Sequence, residues 1–311
     1  MADDRAGGGP GGGAGSALAG DPRVTPARPD LAARHLAGKV AAGRFVDGEA
    51  REVTAPQAPV RRHPSPDAPL DTEALKGERV TVYETTSEGW CWGQLEADAY
   101  VGWLPSGALA RPGPAVTHKV AVPCTLVFPG PSIKLPPVEA LSLGSRLTVM
   151  RIAEPFAITP SGGHVPARHL APLRAAAPDP VWVAEQFLHV PYLWGGKTCR
   201  GLDCSGLVQI ALTACGIACP RDSDMQEAAL GAPFALPHKL PRDFSDLQRG
   251  DLLFWKGHVA IARDSSSLIH ANAFHMAVAI EPIARAAARI GAAGSDLTSV
   301  CRLSTTPDAG A

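Results

Sequence analysis

Apolar and polar residues alternate over short runs in the first half of the chain. In ERVTVYE (78–84), Val80, Val82 and Glu84 share one face. A turn at Ser87–Gly89 leads to WCWGQLE (90–96), and a second turn near Asp98 leads to YVGWLP (100–105). Short alternating runs divided by turn residues predict a small antiparallel barrel over 56–112, with Trp90, Trp92 and Trp103 in its core. SRLTVMRI (145–152) followed by GGHVPARHLAPL (162–173) repeats ERVTVYE followed by YVGWLPSGALAR, so 113–175 is read as a second barrel that lacks the paired tryptophans. Upstream, Leu31, His35, Leu36, Val40 and Phe45 recur at roughly helical spacing after Asp30, which predicts a helical segment within 21–55. The Pro-rich stretch Pro56–Pro69 reads as an extended linker or as the first irregular strand of the barrel.

The pattern changes after 176. Pro180–His189 predicts a short helix. DCSGLVQIALTAC (203–215) predicts another, with Leu207, Ile210 and Ala211 on one face. A turn and a further helix follow over Arg221–Gly231. DLLFW, HVAIA, SLIHA and VAIEP are four strand candidates in succession, and 284–294 reads as a helix end and a loop. A helix bearing a cysteine followed by an antiparallel sheet bearing histidines is an α+β layout, assigned to 176–311.

Composition narrows the functional classes. The 311 residues carry 29 Lys and Arg against 30 Asp and Glu, a net charge of −1, which gives no footprint for nucleic acid or an anionic membrane. Residues 1–20 are Gly-rich and read as a disordered tail. They hold no apolar run of signal-peptide length, and no stretch approaches the roughly 18 apolar residues of a membrane span. The seven cysteines lack the spacing of a disulfide framework. Together these features lead to the expectation of a cytoplasmic protein.

The chemistry centres on Cys204. It stands at the predicted start of its helix, where partial positive charge and free N–H groups favour a thiolate and can hold an oxyanion. Asp203 and Ser205 flank it and are assigned to substrate binding, and the small Ser205 and Gly206 leave room for a substrate. His258 opens HVAIA after Gly257, and adjacent antiparallel strands can bring His270 beside it. That gives a nucleophile, a base and an orienting third group. Cys199, Cys215 and Cys219 lack the second ligand pair of a zinc site, so neither metal nor organic cofactor is expected.

PYLWGGKTCRGLDCSGLVQ, PRDSDMQ, RGDLLFWKGHVAI and LIHANA, in this order, resemble the NlpC/P60 cysteine peptidases. These are bacterial enzymes that cut peptidoglycan peptides on a papain-like fold. The resemblance implies a papain-like catalytic domain behind two SH3-like barrels, with Cys204 as nucleophile, His258 as base, His270 as third residue and Tyr192 as an oxyanion donor. The chain is most similar in layout to the cytoplasmic γ-D-glutamyl-L-diamino acid endopeptidases, which act on recycled murein peptides with a free N-terminal L-Ala. Carried over from that subgroup, Asp222 binds the substrate amine with Ser223 beside it. The first barrel supplies an acid and a tyrosine, matched by Glu78 in LKGERV and Tyr100 in EADAYVGWLP. Ala99 stands before Tyr100 where glycine is common. The partner this implies is an L-Ala-γ-D-Glu-diamino acid peptide. The rival readings are a hydrolase of polymeric peptidoglycan, an inactive murein-peptide binding protein, and an acyltransferase on the same fold.

Overall fold

The computed structural model describes residues 20–233 and 244–303. The Gly-rich tail, up to residue 19, lies outside the described residues. Among the described residues no helix is long and apolar enough to cross a membrane.

Residues 49–110 form a seven-stranded antiparallel sheet. Its order is Leu70–Leu75, Gln57–Arg61, Val101–Pro105, Trp90–Leu95, Arg79–Thr85, Glu49–Val53 and Leu109–Ala110. It therefore begins at Glu49, ahead of the expected boundary at 56, because Glu49–Val53 pairs with Arg79–Val82. Within Pro56–Pro69, Gln57–Arg61 is a strand.

Val80, Val82, Cys91 and Leu95 point into the barrel core. Trp90, Trp92 and Trp103 do not. Strand period two sends them to the opposite face, where they pack with Val101 around Leu31. That face is covered by the N-terminal segment, which is not the expected helix. It contains a single 3-10 turn at Arg34–Leu36 and a two-residue parallel pairing of Ala32–Ala33 with Phe45–Val46. Pro26 and Pro29 fix the chain before the turn, and Gly38 sits at φ 78° after it, a conformation outside the right-handed helix. The segment is a strap. Leu31 is fully buried in it, and the Arg28 guanidinium lies 4.4 Å from the Trp92 ring centroid and 5.0 Å from that of Trp103.

Residues 118–172 form three small antiparallel sheets of two or three strands each. They enclose a core of Val120, Val127, Leu141, Leu147 and Val165.

The remaining domain is α+β, as expected. Six antiparallel strands run in the order Ala232–Pro233, Leu297–Arg302, Leu252–Trp255, His258–Ala262, Ser267–Asn272 and Ala277–Pro282. Alternation divides the apolar runs between two cores. Leu252, Phe254, Val259, Ile261 and Ile269 pack with helices α1 (Pro180–Glu185) and α2 (Cys204–Ala214). Leu253, Trp255, Ala260, Ala262 and Leu268 pack with α4 (Ile283–Ala292). Helix α3 spans Ser223–Ala229. The stretch 284–294 is thus mostly helix, and Leu297–Arg302 adds a strand that the pattern did not reveal.

Candidate functional site

Asp203 builds the start of α2. Its Oδ1 caps the helix by accepting from Gly206 N at 2.6 Å, and Oδ2 accepts from Gly195 N at 2.8 Å. Arg221, fully buried, donates to both Asp203 oxygens at 2.9 and 2.8 Å, to Ser205 Oγ at 2.9 Å and to Thr72 Oγ1 of the first barrel at 2.8 Å. Burial opposes the guanidinium charge, and Asp203 more than restores it. The residues flanking Cys204 are thus scaffold: Asp203 and Ser205 hold the helix end, and their side chains are spoken for within the protein.

Cys204 is 7% exposed. Burial first, then the Asp203 charge, pushes its thiol up to about 12. The backbone N–H groups of Val259 and Ser205 and the Arg221 charge pull in the other direction. The helix end alone does not produce a thiolate in the ligand-free site, because desolvation outweighs it. The sulfur sits against the backbone of Val259, the residue after His258. His258 Nε2 is 2.9 Å from His270 Nδ1. Burial lowers both rings, His258 to about 4 and His270 to about 2, so each is neutral. With His258 Nε2 donating to His270, His258 Nδ1 is left unprotonated and able to accept a proton. Tyr192 is half-buried. Burial and the nearby Cys204 raise its hydroxyl well above the usual tyrosine range, so it is a donor at neutral pH.

The tautomer that makes His258 a base places the His270 proton on Nε2. That buried nitrogen has no hydrogen-bond partner among the described residues, and Glu281 Oε1 lies 4.0 Å from it. Glu281 is itself buried and receives Arg289 at 2.9 Å and His275 at 3.1 Å. Sequence reading missed Glu281 and gave Arg289 no role. His270, His275 and Glu281 offer ligand atoms within 4.8 Å of one another. Arg289 already supplies positive charge to both Glu281 oxygens, which opposes a cation there.

A second cluster straddles the barrel and the α+β domain. Tyr100 Oη donates to Asp222 Oδ2 at 3.1 Å. Burial first, then Asp222 and Asp71, raises the Tyr100 hydroxyl, so Asp71 is close by. Asp71 in turn pairs with Arg62 at 2.8 Å. Burial raises the Asp222 carboxyl against the pull of Arg221 and Arg23. Ser223 follows as the first residue of α3. Glu78 is not in this cluster. It follows Gly77 (φ 80°), folds back to accept from Leu75 N at 2.8 Å, and faces buried Lys197 at 3.5 Å. It lines a cavity of about 770 Å³ behind α2 with Asp98, Lys119 and Gln209, and Cys204 is not among the residues of that cavity. The acid near Tyr100 is Asp71, on the strand Leu70–Leu75, whose only signal was an acid within an alternating run. Trp194, two residues after Tyr192, is 66% exposed. All seven cysteines are free.

Residues 189–288 match the family described as NlpC/P60 family, and residues 60–109 the one described as Bacterial dipeptidyl-peptidase Sh3 domain. The chain is similar to the Gamma-D-glutamyl-L-lysine dipeptidyl-peptidase of Bacillus cereus, 26% identical over 253 residues, spanning 69% of this chain and 71% of that protein. It is also similar to the Bacillus subtilis protein of the same name, 26% identical over 228 residues, spanning 66% and 73%. Dipeptidyl-peptidase 6 of Lysinibacillus sphaericus is 34% identical over 106 residues, about a third of either chain (34% and 36%). Among solved structures, an NlpC/P60 family protein from Bacillus cereus aligns with a TM-score of 0.65 at 21% identity, covering 82% of this chain and 99% of that one, a likeness of fold.

Proposed function

Since the chain carries an NlpC/P60 cysteine peptidase domain behind an SH3 domain of the bacterial dipeptidyl-peptidase type, we propose that it hydrolyses the γ-D-Glu–L-diamino acid bond of murein peptides with a free N-terminal L-Ala. In this reading Cys204 attacks the γ-amide carbonyl as His258 Nδ1 takes its proton. His270 holds the His258 tautomer. The Cys204 N–H and the Tyr192 hydroxyl receive the tetrahedral oxyanion. Protonated His258 then gives its proton to the departing amine, and water cleaves the thioester to release L-Ala-γ-D-Glu. The relatives named as γ-D-glutamyl-L-lysine dipeptidyl-peptidases support this bond type. We place the reaction in peptidoglycan recycling within the cytoplasm, on short peptides.

One observation carries the specificity for a free amine: Tyr100 of the barrel and Asp222 of the catalytic domain meet in a single hydrogen bond, with Asp71 beside them. A half-buried carboxylate set has a use for an ammonium group, since leaving charge unpaired on burial is unfavourable. Arg221, next to Asp222, is bonded to Asp203 and Ser205 on either side of Cys204, so this pocket and the nucleophile are held at a fixed separation. The test is a mass-spectrometric digest of L-Ala-γ-D-Glu-meso-diaminopimelate beside its N-acetylated form, with Cys204→Ala as control. The expected result is L-Ala-D-Glu from the free-amine peptide alone, lost in the variant. Equal cleavage of both peptides would refute the amine pocket, and persistence in Cys204→Ala would refute the nucleophile.

A further inference from the structure

The acidic pocket is completed from outside both domains. The strap places Arg23 against it, and all five guanidinium N–H groups are engaged. Nε donates to Asp21 Oδ1 at 3.0 Å, with Oδ2 at 3.2 Å. One terminal nitrogen donates to Asp222 Oδ2 at 2.9 Å and Asp224 Oδ1 at 2.8 Å, and the other to Asp21 Oδ2 and Asp224 Oδ2, both at 2.7 Å. The strap is pinned there by its backbone: Arg23 O accepts from Val101 N at 2.7 Å, and Val24 O accepts from Gln94 Nε2 at 2.9 Å. Both donors belong to the hairpin that carries Tyr100.

We propose that Arg23 is a positioning residue that sets the enzyme's preference for a free amine by fixing the Asp222 carboxylate. This rests on the amine pocket proposed above. Arg23 and Tyr100 both bond to Oδ2 of Asp222. That defines the carboxylate's rotation and leaves Oδ1 with no protein partner among the described residues, on a side chain that is 24% exposed. Arg23 has no N–H left for a substrate, so it acts through Asp222. Nor does it cancel the pocket's charge. Asp21, Asp71, Asp222 and Asp224 face Arg23 and Arg62, and the neighbouring Arg221 is paired with Asp203, so the surface stays net negative and suited to a cation. Without Arg23, Asp21, Asp222 and Asp224 would repel one another and Asp222 would lose its defined orientation.

The experiment compares wild type, Arg23→Gln and Arg23→Lys on the free-amine tripeptide and its N-acetylated form, with kcat and KM measured separately and folding checked by thermal melting. In Arg23→Gln, KM for the free-amine peptide is expected to rise about tenfold with kcat within about twofold, and the preference over the acetylated peptide to shrink by the same factor. In Arg23→Lys, which keeps the charge, part of the KM is expected to return. An unchanged preference in Arg23→Gln overturns the role of Arg23 alone. A lower KM in that variant also overturns it, and would make the strap an obstacle in the pocket. A wild type that makes no distinction between the peptides, or cuts neither, overturns both this role and the amine pocket itself.

Discussion

At the scale of single residues, the proton on Cys204 is the decisive one. The helix end, Val259 N–H and Arg221 favour a thiolate, but the sulfur is almost fully out of water and beside Asp203, and the balance leaves it protonated. His258 is neutral for the same reason, burial. The ligand-free site therefore holds a thiol and an imidazole, and in the proposed mechanism the ion pair forms as the carbonyl is attacked. Two pH dependences follow. The value of kcat/KM should fall as pH drops through about 4, where His258 becomes protonated and can no longer accept a proton. Iodoacetamide alkylation of Cys204 in the free enzyme should climb about tenfold per pH unit between roughly pH 6 and 9, following a small thiolate fraction. A rate already level at pH 6 would mean that the thiolate is preformed.

Individual elements show why some of the site was legible and some was not. Cys204, His258 and His270 lie at the starts or interiors of elements whose local pattern is strong: a capped, apolar helix and two apolar strands in succession. The strand pairing that brings the two rings to 2.9 Å spans only twelve positions. The distal pocket depends on docking between remote segments. Tyr100 reaches Asp222 across 122 positions and Arg23 across 199, and no periodicity encodes such contacts. Glu78 matched the acid implied by the resemblance, but the turn at Gly77 curls it toward Leu75 and Lys197, whereas the charge of Asp71, on the strand Leu70–Leu75, acts on Tyr100. The strap misled for a different reason. Its apolar residues are few, and what they bury is decided by the tryptophan face of the barrel.

The hairpin carrying Tyr100 has its own strain. Ala99 sits at φ 62°, in the left-handed region where a Cβ crowds the following carbonyl, while its own carbonyl accepts from Gln94 Nε2 at 2.9 Å. Ala99→Gly should relieve this and raise stability by about 1 kcal/mol, or roughly 2–4 °C in melting temperature. A lower melting temperature would show that the entropy of glycine in the unfolded chain outweighs the strain.

On the scale of the whole molecule, Arg221 joins what would otherwise be separate parts. It touches Asp203 and Ser205 at the start of α2, Gly196 in the loop before it and Thr72 in the barrel, and Asp222 follows it in sequence. Other bonds cross the same boundary, notably Glu73 Oε2 with Lys197 N at 2.9 Å, Lys197 Nζ with Glu78 at 3.5 Å and Asp98 with Gln209 at 2.9 Å. Replacing Arg221 by Met keeps much of the volume and removes the charge. Asp203 is then left with its Gly195, Ser205 and Gly206 partners but no counter-charge, in a place where its side chain is 11% exposed. An uncompensated buried carboxylate typically destabilises by about 3–5 kcal/mol, so urea unfolding of Arg221→Met should show a loss of that order. Adding Asp203→Asn removes the unpaired charge, and the double variant should regain part of the stability, a coupling that a double-mutant cycle reads directly. Activity should not return with it, since Thr72 has lost its donor and the start of α2 has lost the guanidinium that ties it to the barrel. A double variant as active as wild type would show that the barrel, the proposed amine pocket and Cys204 keep their alignment through other contacts.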